Sequence, residues 1–324
     1  MTVYPETFDT ITSCRRNQAP PLNWDCLFVI PEWLDAWWQS FGMDSELFIR
    51  SVYQEGEMIG IAPLRIRGED ACFIGDIEVC DYQDFVIASG KETLFFESLL
   101  DFLIHHKGVS RLHLEALRPD SSVMTHLTVS ANRLNRNVSC ISQDVSLEIE
   151  LPGSWDMFLG QLTGKQRHEV RRKLRRLYEA GQVRFRVVDG VEQIRKQMET
   201  FLTLFKSNRF DKADFMNDQM VQYFQTLTEA MAGAGILKLF FLDIDDEPAA
   251  AALCFDYRSI RYLYNNGYDQ RFSPLGVGLI CKILCIKDAI ESGKKKFDFL
   301  KGAEDYKHRL GGKTVSLHRC IIDL

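Results

Sequence analysis

The stretch Tyr262–Gly278, YLYNNGYDQRFSPLGVG, gathers the residues of this chain best suited to a charged ligand. A strand runs through it into a polar loop, and Ser273-Pro274-Leu275-Gly276-Val277-Gly278 then opens an apolar helix over Leu279–Ile290. A helix start offers unpaired N–H groups and the positive end of the helix dipole, and glycines let a phosphate approach closely. The loop therefore suits a pyrophosphate, with no metal needed. It suits equally a plain helix start, in which Gly276 and Gly278 only allow close helix–sheet packing. No other nucleophile or metal constellation is present: G-x-S-x-G, H-E-x-x-H, GxxxxGK[ST] and G-x-G-x-x-G are all missing. The seven histidines (His105, His106, His113, His126, His168, His308 and His318) form no ligand-spaced group, so neither a metal nor Ser-His hydrolysis is expected.

A second charged feature is Gly164–Gly181, GKQRHEVRRKLRRLYEAG. Residues 161–186 carry nine Lys/Arg and two Glu, a local charge of +7 in a chain of −6. Val170, Leu174, Leu177 and Tyr178 recur at i, i+4, i+7 and i+8, which predicts a helix with one apolar face. Arg167, Arg171, Arg175 and Lys173 then fall on or near the exposed side. Such a helix serves as a solvated surface or as a contact for an anion. Without stacking aromatics on its exposed face, it favours a small or polymeric anion over sequence-specific RNA.

The elements that must position these residues follow a plan that occurs twice. Residues 47–75 read as three strands, with turns at Gln54-Glu55-Gly56-Glu57 and Arg67-Gly68-Glu69-Asp70. Residues 237–267 repeat this, with turns at Asp245-Asp246-Glu247-Pro248 and Tyr257-Arg258-Ser259. Each block is followed by a helix, a glycine and a strand: Lys91–Lys107, Gly108 and Arg111–Ala116 in the first half, Val277–Ser292, Gly293 and Lys296–Leu300 in the second. Glu57 precedes Glu247 by 190 residues and Gly108 precedes Gly293 by 185. A strand–helix–strand connection calls for a parallel pair, so each sheet is expected to be mixed.

The expected fold is thus α/β (α+β) with two domains, 1–150 and 151–324, divided near Leu151-Pro152-Gly153. Ser154 is expected to cap a helix from Trp155. Trp33, Trp37 and Trp38 on a helix over Glu32–Phe41 form a core stripe. At 324 residues, 46% hydrophobic and 26% charged, the chain is too long for one ordinary core and too apolar to be disordered. It has no run of 18 apolar residues, so no membrane span is expected, and its start reads as no secretory signal. The nine cysteines are scattered and read as reduced thiols of a cytoplasmic protein, with Cys281 and Cys285 as core residues. The acidic balance argues against a protein that coats DNA.

The SPLGVG loop, followed by KKFDFLKGAEDYKHRLGG at Lys295–Gly312, resembles the tandem GNAT-type acyltransferases. The nearest likeness is to the BioF2-like and cellulose-biosynthesis-associated acetyltransferase-like group, related to the Fem peptidyltransferases. Asp298-Phe299, Gly302 and Tyr306-Lys307 carry the resemblance, with Trp33, Trp37, Asp81–Phe85 and Lys165–Gly181 also fitting. It implies two GNAT-like domains, each a mixed β-sheet flanked by helices. It also implies acetyl-CoA or another acyl-CoA as co-substrate, its pantetheine between two parallel strands. By match to the pyrophosphate loop, Leu275, Gly276, Val277 and Gly278 would hold the cofactor, and Lys307 a phosphate or substrate anion. Phe272-Ser273-Pro274 departs from the common Gln/Arg-x-x-Gly-x-Gly/Ala loop. Val86–Lys91 lacks the paired glycines, so the first domain would be a degenerate copy that shapes the substrate cleft.

On the same resemblance, Asp298 or Glu304 would serve as base and Tyr306 as acid for attack of an amine on the thioester. Asp298 has an alternative role, fixing the following turn by accepting backbone N–H bonds, and Tyr306 one as an edge aromatic. Arg167, Arg171 and Arg175 would meet the acceptor, a small-molecule, sugar or peptide amine between the domains, or the CoA 3′-phosphate. Two alternatives stand beside this reading. One is a Fem-like transferase using aminoacyl-tRNA; the other is an inactive copy that acts as a binding partner in envelope-polysaccharide biosynthesis.

Overall fold

The computed structural model describes residues 1–18, 20–208 and 216–324. The first part of the chain runs β1 (Thr2–Pro5), α1 (Phe8–Asn17), α2 (Pro31–Phe41), β2 (Glu46–Gln54), β3 (Glu57–Arg67), β4 (Asp70–Phe73), β5 (Val86–Ile87), α3 (Glu92–Ile104), β6 (Arg111–Leu117), α4 (Thr128–Arg133) and β7 (Val138–Glu150). It continues with α5 (Trp155–Gln161), α6 (Gly164–Glu179), β8 (Val183–Val188), α7 (Val191–Asn208), α8 (Asp218–Gly233), β9 (Leu237–Ile244), β10 (Glu247–Tyr257) and β11 (Ile260–Tyr268). The last elements are α9 (Val277–Glu291), β12 (Lys296–Lys301), α10 (Asp305–Arg309) and β13 (Lys313–Asp323).

Two compact units result: residues 1–145 with 315–324, and residues 146–314. The chain's last ten residues therefore lie with the first unit, because β13 pairs antiparallel with β6. Both units follow the plan read from the sequence. In the first, β2, β3 and β4 form an antiparallel meander, α3 follows, and β6 pairs parallel with β4. In the second, β9, β10 and β11 form the meander, α9 follows, and β12 pairs parallel with β11. Each is a mixed α/β sheet. The tight hairpins come from turns whose two central residues have positive φ: Glu55 and Gly56 (52° and 87°), then Asp245 and Asp246 (50° and 64°).

In the first unit the core gathers Phe48, Phe73, Phe85, Phe95, Phe96 and Leu99 around α3. Of the predicted stripe, Trp33 and Trp37 of α2 are buried, while Trp38 is only partly buried. The parallel pair β4/β6 lasts only for Asp70–Arg111 and Ala71–Leu112. Beyond it Gln83 fills the space, its N–H donating to Ala116 O (3.1 Å) and its Nε2 to Ile74 O (3.0 Å). The expectation of nine reduced thiols needs one correction. Cys140 on β7 and Cys320 on β13 are joined by a disulfide, because neighbouring strands bring together residues 180 apart in sequence. The other seven cysteines are free.

In the second unit α7 packs on β10 and β11, α8 packs on α7 and β9, and α9 packs on β9, β10 and β11. Ser154 caps α5 by accepting from Met157 N, as expected. The core contains a charge cluster around Arg261. Arg261 on β11 is 1% exposed and donates to both carboxylate oxygens of Asp256 (2.7 and 2.8 Å), to Asp288 Oδ2 (2.5 Å) and to Cys285 O (3.2 Å). Lys294 adds a contact to Asp256 at 3.2 Å. Burial alone pushes the Asp256 carboxyl up, but the Arg261 hydrogen bonds and the charges of Arg261 and Lys294 outweigh it and hold it below its usual range. Arg261→Met is expected to cost about 3–5 kcal/mol in urea denaturation, since it leaves the buried Asp256 carboxylate without its main partner. A double variant that also carries Asp256→Leu should recover a large part of that loss.

Candidate active site in the second unit

The site is built where β11 and β12 separate. They pair in parallel at Ile260–Lys296, Arg261–Phe297 and Tyr262–Asp298, and no further. Each strand is bent by a bulge at this place. Against β10, Leu253 faces Asn265 while Cys254 faces Leu263, which leaves Tyr264 as the extra residue on β11. Against β7, the register of β12 jumps between Asp298 and Lys301. Leu300 lies in that jump at φ 61°, and Asp298 Oδ1 accepts its N–H at 2.8 Å. Asp298 is 2% exposed and holds the bulge, the role left open for it beside that of base.

Backbone that leaves a sheet must find new hydrogen-bond partners. Here Lys307 supplies them. Its ammonium donates to Leu300 O (3.1 Å), Lys301 O (2.6 Å) and Gly302 O (3.0 Å), and it pairs with Glu304 at 2.9 Å. The residue is 2% exposed. This differs from the phosphate contact expected of it: three carbonyls occupy the three donors of the ammonium. Glu304 is half exposed. Burial raises its carboxyl, but the hydrogen bond and charge of Lys307 prevail and keep it below the usual carboxylate range. Tyr306 on α10 sets its ring edge-on to Phe299, and burial, helped by the Glu304 charge, pushes its phenol well above the ordinary value.

The loop between β11 and α9 closes the site from the other end. Asp269 accepts the Arg271 N–H (2.9 Å) and starts a 3-10 turn over Gln270–Leu275. That turn ends at Gly276, whose φ of 72° is left-handed and whose carbonyl accepts from Leu279 N and Ile280 N (both 3.1 Å). The N–H groups of Val277 and Gly278 in the first turn have no acceptor within the helix. A Cβ at Gly276 would stand 3.2 Å from Lys173 Nζ, and one at Gly278 would meet the Tyr268 ring at 2.6 Å. The glycines thus admit an ammonium on one side and an aromatic ring on the other.

Helix α6 delivers that ammonium. Thr163 and Gln166 form a reciprocal capping box at its start, and Val170 and Leu177 are buried. Lys173 lies between these two on the same face; its side chain is 22% exposed and pairs with Glu169 at 3.4 Å. The sequence expectation needs correcting here, since Lys173 faces inward to the loop while Tyr178 is 58% exposed. At 100° per residue, Arg171 and Arg175 fall on the opposite side of α6 from Lys173. Arg171 is exposed, Arg175 pairs loosely with Glu179 (3.8 Å), and Arg167 reaches Leu159 O at 3.5 Å. The structure therefore brings Asp298, Glu304, Tyr306 and Lys307 together, places Leu275–Gly278 at the start of α9, and turns Arg171 and Arg175 away from that loop, while Arg167 reaches back to Leu159. Lys173 was available to sequence reading as a charge on the Val170–Leu177 seam. Among the described residues no group of three or more His, Cys, Asp or Glu is placed to hold a metal.

Replacing Lys307 with Ala should lower stability by roughly 2–4 kcal/mol, because three carbonyls lose a charged donor. Chemical denaturation checks this; an unchanged midpoint would contradict the clamp.

Residues 164–308, which include α6, the loop, α9, β12 and nearly all of α10, match the family described as acetyltransferase (GNAT) domain. Among solved structures, the chain is similar to that of FemX, with a TM-score of 0.66 and 13% identity over 99% of this chain and 97% of that one. It is also similar to a conserved protein of unknown function from Bacteroides thetaiotaomicron VPI-5482, with a TM-score of 0.59 and 10% identity over the full length of both chains. The structure of L-PGS from Bacillus licheniformis gives a TM-score of 0.55 and 10% identity over 89% of this chain and 90% of that one. No curated protein matches the sequence. At such identities the solved structures show the fold alone. The family match is the finding that bears on chemistry: it spans most of the second unit and supports an acyltransferase.

Proposed function

We propose that the second unit binds an acyl-CoA, acetyl-CoA in the simplest case, and transfers its acyl group to an amine. The separation of β11 from β12 after Tyr262 and Asp298, beside the start of α9, is the observation that carries this reading. Parted parallel strands leave backbone groups for the amides of a pantetheine arm. The first turn of α9 offers N–H groups to a pyrophosphate, and Lys173 adds a positive charge. Leu275, Gly276, Val277 and Gly278 form the cradle. The motifs at Ser273–Gly278 and Asp298–Lys307 favour the BioF2-like branch, in which the acceptor is an amine on a small molecule, sugar or peptide.

The chemistry asks for a proton acceptor and a proton donor. Glu304, ionised throughout the neutral range and half exposed, takes the proton of the attacking amine through water. The amine nitrogen bonds to the thioester carbonyl carbon, the C–S bond breaks, and Tyr306, kept protonated by burial, supplies a proton to the thiolate. Asp298 and Lys307 shape the backbone on which this occurs. A second reading, with aminoacyl-tRNA as donor, draws on the exposed Arg171 and Arg175 of α6, which suit an RNA backbone.

Acetyl-CoA at about a hundredfold excess over its Kd should raise the melting temperature by about 5–10 °C. Gly276→Glu should abolish that shift, since it sets a carboxylate where the pyrophosphate binds and strains a left-handed position. No response to any acyl-CoA, with a salt-sensitive shift by tRNA, would replace the donor. With an accepted amine, Glu304→Gln should lower kcat/KM about a hundredfold, followed by thiol release.

A further inference from the structure

Helix α9 carries a lysine that the reading above does not use. Lys282 stands in the otherwise apolar run Leu279–Ile286, LICKILCI, and is 7% exposed. Lysine is almost never buried unless its charge is matched. Its side chain turns back along the helix, and Nζ donates to Gly278 O at 3.1 Å. It lies 4.7 Å from the centre of the Tyr306 ring. Among the described residues this is the only hydrogen bond its ammonium makes, so two of its three donors are unused.

The position is specific. Gly278, which Lys282 touches, packs on Tyr268 at the end of β11, and Tyr306, over which it sits, follows the end of β12. Lys282 therefore stands between the first turn of α9 and the Tyr306 ring, one helical turn inside the loop that Lys173 flanks. A structural lysine has its donors satisfied by the protein, as Lys307 has by three carbonyls and Glu304. Lys282 has not, although it lies in the same neighbourhood.

We propose that the Lys282 ammonium is a binding group for the acyl donor, its two free donors taking anionic oxygen of the ligand that enters between β11 and β12. The inference rests on the acyl-CoA reading and extends it with a second cation, inside the slot and supplied by α9 itself. The charged and titratable groups facing Lys282 are Glu304, Tyr306 and Lys307, with the thiols of Cys281 and Cys285 on its own helix; Lys173 of α6 stands at the helix start. Burial, opposed by Cys281, Cys285 and Glu304 and aided by Lys307, pushes the free ammonium down to about 8. An anion bound to it must pull that value back up, so binding takes up a proton above neutrality.

Isothermal titration calorimetry of acetyl-CoA, in buffers of different ionisation enthalpy, tests this. At pH 8.5 the unmodified protein should take up roughly half a proton on binding. Its affinity should fall as pH rises through about 8. Lys282→Met should bind about tenfold or more weakly at pH 7, with no proton uptake and no pH dependence in that range. Its own melting temperature should equal or exceed that of the parent, because a buried charge is removed. Binding by the parent without proton uptake, or binding by the variant within twofold with the parent's pH dependence, would overturn the assignment of Lys282 alone. If the parent binds no acyl-CoA, the donor reading falls and the inference falls with it. If Met lowers the melting temperature instead, the parent's proton uptake still decides.

Discussion

The buried guanidinium of Arg261 is the interaction on which the second unit depends. It ties β11 to Asp256 of β10 and to Cys285 and Asp288 of α9, at the last part of β11 still paired with β12. After the next residue, Tyr262, the two strands separate. A sheet that opens at one end needs its closed end held, and a helix whose first turn stands beside that opening needs its later turns fixed. Arg261 meets both requirements with one planar cation that makes four hydrogen bonds, a geometry that lysine cannot reproduce. Lys307 is its counterpart at the open end, where it collects the carbonyls that β12 no longer shares with a neighbour.

The two units show one plan with its open end left clear in one and filled in the other. Both carry a parallel strand pair that parts early, and both place a non-glycine residue with positive φ on the later strand, Ala116 on β6 and Leu300 on β12. In the first unit Gln83 enters the gap, and Arg65 donates to Phe73 O and Gly75 O beside it. In the second unit the corresponding region is bordered by glycines, tyrosines and lysines. This contrast agrees with the glycine pair at 276 and 278, which Val86–Lys91 lacks.

The repeated plan was legible because its signals are local. Two-residue hairpin loops need residues that accept positive φ, and Glu55-Gly56 and Asp245-Asp246 stand where strand periodicity breaks. The start of α9 was legible for the same reason. What escaped is set by tertiary contact. Periodicity on α6 separates faces, but it does not say that the face with Lys173 meets a loop a hundred residues on, nor that Tyr178 stays in solvent. Lys307 reads as a phosphate contact until β12 is seen to leave its partner. The Cys140–Cys320 disulfide joins residues 180 apart, a distance over which spacing carries no information.

The central claim is that a donor anion sits on the first turn of α9, and backbone hydrogen exchange tests it most directly. The amides of Val277 and Gly278 have no acceptor within their helix and should exchange fast in the free protein. Acetyl-CoA should slow exchange there and along residues 299–302 of β12, while leaving the first unit unchanged. Protection confined to the first unit, or exchange at Val277 and Gly278 unaltered by saturating acetyl-CoA, would contradict the account.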